Sequence, residues 1–106
     1  MTNSTNGIHH LGLTVPSLSA ARDFFVDALG FKQVGKTPAY PAVIVSDGSV
    51  TISLWQVEDK LKAVQFDRKS NIGLHHFALK VNDLNDLAVK LKNRNDVEIE
   101  FESIYV

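Results

Sequence analysis

At 106 residues the chain is sized for one domain, and 44% hydrophobic with 22% charged residues is ordinary for a soluble globular protein. A net charge of −1, from 11 Lys/Arg against 12 Asp/Glu with no basic run, speaks against nucleic acid or an anionic membrane as the main partner. The absence of cysteine excludes disulfides, thiolate metal sites and cysteine nucleophiles. No apolar run nears the roughly 18 residues of a membrane span. The opening Met-Thr-Asn-Ser-Thr-Asn is unlike a signal peptide, so a cytoplasmic protein is expected.

Residues 8–15 alternate, with His10, Gly12 and Thr14 on one face and His9, Leu11, Leu13 and Val15 on the other, which predicts a strand whose apolar face meets a helix. Ser17 is placed to cap that helix. Leu18, Ala21, Phe25, Ala28 and Leu29 recur at helical spacing, and Gly30 supplies a left-handed stop. A short strand over 31–35, a proline-bearing loop over 36–41 and a buried strand over 42–46 follow. The turn signal Asp47-Gly48 leads into a hairpin partner over 50–57. That last strand sets Thr51, Ser53 and Trp55 on one face and Ile52, Leu54 and, at its end, Gln56 on the other. The order is βαβββ.

Residues 58–72 are charged and irregular, and are expected to be a linker or a short solvated helix. The chain then repeats itself. Gly7-Ile8-His9-His10-Leu11-Gly12-Leu13-Thr14-Val15 returns 66 residues later as Gly73-Leu74-His75-His76-Phe77-Ala78-Leu79-Lys80-Val81, identical at five of nine positions, and all four histidines fall inside the two copies. A second strand over 73–81 is therefore expected. Asn82-Asp83 caps a helix carrying Leu84, Leu87, Ala88 and Leu91 and ending near Asn93, and the alternating 97–102 stretch reads as another strand. The counterpart of Ser53 at the same offset would fall beyond Val106, so the second copy is expected to lack its last two strands.

Two βαβββ units, a histidine at the start of each, the Leu29-Gly30-Phe31 step after the first helix and the Phe24-Phe25 pair inside it resemble the vicinal oxygen chelate superfamily, which includes glyoxalase I, extradiol dioxygenases and bleomycin-binding proteins. The resemblance spans Ile8 to Tyr105. It implies an α+β fold of tandem glyoxalase-like modules within one domain, about 7–57 and 73–106, with the curved sheets lining a cavity. It also implies a divalent metal (Zn, Ni, Mn or Fe), with His10 on the first strand and His76 on the fifth as ligands. Ser53 matches a third ligand position, and the matching acid of the eighth strand is absent, so the ligand set is incomplete. The alternation independently puts His10 and His76 on the faces away from the helices, with His9 and His75 pointing oppositely or lying at the strand entrances.

Weighed singly, a strand histidine is more often a hydrogen-bonded packing residue than a ligand, and repetition is what singles out His10 and His76. Ser53 is a weak substitute for a carboxylate and reads more readily as a small residue leaving room in the cavity. Thr14, Ser53 and Trp55 are the expected substrate-cavity residues, with Trp55 as an aromatic wall or, equally, as core. The Glu98, Glu100 and Glu102 stripe reads as a solvated face, with Glu100 the outside candidate for a replacement acid. Three functions stay open: a metal-dependent lyase, isomerase or dioxygenase acting through vicinal oxygens; a metal-free binder of a small molecule such as an antibiotic; and an inactive truncated copy. A sheet edge left unpaired by the missing strands predicts a homodimer.

Overall fold

Alternating side chains can bury one face of a strand only when the strand is paired, and the first 65 residues provide every partner that their strands need. A computed structural model of the chain describes residues 2–39 and 41–100, and it divides into two units, 1–65 and 66–106. The first unit holds strands β1 (Leu11–Val15), β2 (Lys32–Thr37), β3 (Ala42–Ser46) and β4 (Thr51–Gln56), together with helix α1 (Leu18–Asp23), which widens into a π-helical turn over Phe24–Ala28. The sheet order is β1-β4-β3-β2, with β1 parallel to β4 and the other pairs antiparallel. The fold is α+β, and the βαβββ order expected for this half is present.

Register sorts the side chains. Leu11 is opposite Ile52, Leu13 opposite Leu54, Val43 opposite Leu54 and Val45 opposite Ile52, so these residues share one face. Helix α1 packs over β3 and β4 there, and Val45, Ile52 and Leu54 are wholly buried. Phe25, Ala28, Phe31 and Ala42 are buried as well, Phe25 and Phe31 meeting edge to face at 5.2 Å between ring centroids.

Both ends of the helical segment have local causes. The Ser17 hydroxyl accepts the Ala20 amide at 3.3 Å. The side chain of Gln56, at the end of β4, accepts the Leu18 amide at 2.8 Å and donates to the Pro16 carbonyl at 2.7 Å, so one residue of the sheet satisfies two backbone groups at the helix entrance. At the other end Gly30 takes φ +77°, a conformation that a side chain would strain, and the amides of Gly30 and Phe31 return to the carbonyls of Val26 and Phe25. The Asp47-Gly48 turn forms as expected. The Asp47 carboxylate accepts the amides of Ser49 and Val50, each at 2.8 Å, and these bonds, that of Val50 foremost, hold its pKa below the usual carboxylate value.

β1 begins at Leu11, so His9 and His10 lie just ahead of the strand rather than on it. β2 starts one residue later than expected and carries an irregularity between Gln33 and Gly35 that leaves Val34 exposed. Residues 59–63 form hydrogen-bonded turns, and no helix forms over 58–65.

The second unit departs further from expectation. Helix α2 (Leu84–Lys92) forms, capped by Asp83, whose side chain accepts the Asp86 amide at 3.0 Å. Neither 73–81 nor 97–100 is laddered, and the remainder of the expected 97–102 strand, with Glu102, lies outside the described residues. The first unit supplies the reason: every ladder in it includes β3 or β4, with β1 and β2 at the two edges. Counterparts of β3 and β4 at the repeat offset fall beyond position 106, so neither stretch has a partner of its own kind within these residues. The packing follows suit, with Leu79 half-buried while Phe77 and Val81 stay exposed. Among the described residues, no helix is long and apolar enough to cross a membrane.

Candidate functional site

The sheet face turned away from α1 sets small and polar side chains beside the indole of Trp55 and the side chain of Ile44. In register, Gly12 is opposite Ser53 and Thr14 opposite Trp55, while Ile44 is opposite Ser53 from β3. Three of these, Thr14, Ser53 and Trp55, are the cavity residues expected from the alternation. The structure brings them onto one face together with Gly12, which alternation sets beside Thr14.

Trp55 organises this face. Its indole N–H donates to the Ser53 hydroxyl at 3.0 Å, and that hydroxyl sits 3.5 Å from the Leu11 carbonyl, which it reaches as donor. Ser53 is the buried polar residue of the core, and these bonds satisfy it. A Cβ at position 12 would lie 3.3 Å from Ser53 Oγ and 3.8 Å from Trp55 Nε1, so the missing side chain of Gly12 leaves room for the serine and the indole edge. The result is a half-exposed aromatic ring bordered by a glycine, a threonine and, on β3, Ala42, with no carboxylate among them. Such a surface suits an uncharged, flat or apolar ligand, with Thr14 as an exposed polar group to orient it.

The histidines occupy a different kind of setting. His9 and His10 are exposed, their rings edge to face with centroids 5.1 Å apart and Nδ1 of one 2.9 Å from Nδ1 of the other. In the second unit His75 and His76 repeat the arrangement at 4.9 Å between centroids and 2.7 Å between Nδ1 atoms. Each pair therefore turns both rings inward on itself, a feature that alternation along an extended chain does not suggest.

A divalent ion of the usual catalytic kind needs about three protein ligands and an open position. Ser53 has its hydroxyl engaged by Trp55 and Leu11, and among the described residues no three of His, Cys, Asp and Glu gather around a point that could hold a metal. Glu100 is committed elsewhere in the second unit: its carboxylate pairs with both Nη atoms of Arg68, one at 2.9 Å, and Arg68 holds the Glu100 pKa below its usual value. The donor set present does not by itself fit such an ion. The Arg68–Glu100 pair, together with Phe66, Asp67, Lys69 and His75, lines a shallow charged depression. The separation of 32 residues between its members left no signal in the sequence.

The family model described as Glyoxalase/Bleomycin resistance protein/Dioxygenase superfamily matches residues 7–103. A catechol-2,3-dioxygenase of Bacillus subtilis (strain 168) is 31% identical over 85 residues, covering 77% of this chain, and the chain spans 29% of that relative's length. Among solved structures, a lactoylglutathione lyase from Agrobacterium tumefaciens superposes with a TM-score of 0.64 at 18% identity, covering 93% of this chain and 77% of its own. An integron cassette protein from the mobile metagenome of V. cholerae also gives 0.64, at 20% identity, covering 98% and 78%. At these identities the two structures speak to the fold.

Proposed function

This chain belongs to the Glyoxalase/Bleomycin resistance protein/Dioxygenase superfamily, and from that premise we propose that it binds a small, flat organic molecule against the sheet face formed by Gly12, Thr14, Ser53 and Trp55. The observation that carries the proposal is the indole of Trp55, held by the buried Ser53 hydroxyl beside a position with no side chain. A ring fixed in this way loses little freedom when a ligand stacks on it. Neutral surroundings favour an uncharged aromatic over an anion.

Catechol is a fitting probe, given the similarity to a catechol-2,3-dioxygenase. Trp55→Ala is expected to weaken catechol binding, followed by calorimetry, at least tenfold while Lys36→Ala on the edge strand leaves it unchanged. Equal affinity in wild type and Trp55→Ala would end the proposal.

The same similarity favours a second reading, an oxygen-chelating enzyme in which His10 and His76 contribute to one divalent ion. Those two imidazoles would be its protein ligands here. The two copies, about 7–57 and 73–106, are then tandem modules of one ancestral unit joined by 58–72.

A homodimer is part of this proposal. Leu74, Leu84 and Val89 of the second unit are at least half exposed, and the 73–81 stretch has no ladder partner. Light scattering after size exclusion is expected to give twice the chain mass at micromolar concentration, and a stable monomer would contradict it.

A further inference from the structure

We infer that two copies of this chain pair through the open edge of β1, antiparallel about Leu13, an assignment that rests on the homodimer proposed above and gives it a contact in the first unit. Among the described residues β1 and β2 are the edges of the sheet, each with one ladder neighbour, and the two edges are not alike. β2 carries Lys32 and Lys36 and an irregularity between Gln33 and Gly35, the charges and the break in register that keep an edge from recruiting another strand. A copy of β2 laid against it would add like charge to like charge. β1 is Leu-Gly-Leu-Thr-Val, with no charge, no proline and an unbroken register to β4.

The backbone of β1 is self-complementary. In a parallel pair a residue turns its amide and its carbonyl to the same side, and the next residue turns both to the other. The Val15 carbonyl accepts the Val57 amide at 2.9 Å, and the Leu11 carbonyl lies 3.5 Å from the Ser53 hydroxyl, so Leu11, Leu13 and Val15 turn their backbone groups to β4. Gly12 and Thr14, both exposed, therefore turn theirs to the open edge, one on either side of Leu13. A second β1 running antiparallel, with Leu13 opposite the partner's Leu13, matches Gly12 to the partner's Thr14 and Thr14 to the partner's Gly12 as reciprocal hydrogen-bonded pairs. Pro16, with no N–H, ends the ladder just past Val15.

The side chains agree with this register. Leu11 falls opposite the partner's Val15 and Leu13 opposite the partner's Leu13, all on the face that β1 shares with Ile52 and Leu54. Leu11, Leu13 and Val15 are half-buried where Ile52 and Leu54 beside them are wholly buried, so an added strand covers apolar surface that the first unit leaves open. On the other face Gly12 meets the partner's Thr14, and the Trp55 surface runs on into the second copy.

The chain has no cysteine, so Leu13→Cys places a single thiol where the two copies meet. Directly opposed residues that are not hydrogen-bonded stand about 4.5 Å apart at Cα, within the disulfide span of about 4.4–6.8 Å. On mild oxidation Leu13→Cys is expected to cross-link into a dimer with wild-type far-ultraviolet circular dichroism, while Lys36→Cys on β2 stays uncross-linked. In the wild-type chain the amides of Gly12 and Thr14 are expected to exchange about tenfold more slowly in the dimer than after dilution to monomer. A dimer by light scattering whose Gly12 and Thr14 amides are unprotected, and whose Leu13→Cys variant does not cross-link, overturns the β1 pairing and leaves the homodimer standing. A monomer overturns both. Protection that survives dilution to monomer overturns the pairing as well, since the edge is then covered from within one chain.

Discussion

Leu54→Ala is expected to remove about 2–5 kcal/mol from the stability of the first unit. Leu54 is wholly buried at the centre of the sheet, opposite Leu13 on one side and Val43 on the other, beneath α1. Truncation deletes its transfer free energy and leaves a cavity that paired strands on both flanks cannot collapse to fill. A small domain has only about 5–15 kcal/mol in hand, so the loss is a large share of the whole. Urea unfolding followed by Trp55 fluorescence measures it, since Trp55 is the single tryptophan and lies next in the chain. Val34→Ala, at the exposed irregularity of β2, is the matched control and should change stability by no more than about 0.5 kcal/mol. Equal midpoints for the two variants would show that the core is not where the structure puts it.

Gln56→Ala is expected to cost about 1–3 kcal/mol, with β4 otherwise intact. Its amide ties the first turn of α1 to the end of the sheet through the Leu18 amide and the Pro16 carbonyl, and alanine leaves both groups without that partner. The loss should be local. Hydrogen exchange of the Leu18 amide is expected to speed up while that of Ile52, inside the sheet, falls only in proportion to global stability. Protection at Leu18 equal to wild type would remove Gln56 from the helix entrance.

Gln56 also illustrates what could be read from the sequence. Alternation sets it on the face of Ile52 and Leu54, but its role depends on α1 starting 38 residues earlier in the chain. Features with a local cause were legible: the Ser17 and Asp83 caps, the Asp47-Gly48 turn, the Gly30 stop and the two faces of β4. Features that depend on distant pairing were not. The parallel match of β1 with β4 has no local signal, nor does the widening of α1 into a π-helical turn over Phe24–Ala28.

The second unit makes the same point from the other direction. The alternation over 73–81 is nearly as clear as that over 8–15, but a strand exists only where backbone hydrogen bonds pair it, and β1 is paired with β4 whereas 73–81 is not laddered. At the candidate site, alternation located Thr14, Ser53 and Trp55 on one face. It did not convey that Trp55 closes on Ser53, or that Gly12 makes room for both. The histidine pairs were conspicuous as sequence, yet their Nδ1 atoms meet within each pair, a side-chain choice that the strand period does not encode.

The most direct test of the binding face is the nuclear magnetic resonance signal of the single indole N–H during titration with catechol. The account predicts that the Trp55 indole signal moves saturably, together with the amides of Gly12 and Thr14, while the amides of α2 stay in place. Movement confined to the second unit, with the indole signal unchanged at saturating catechol, would contradict it.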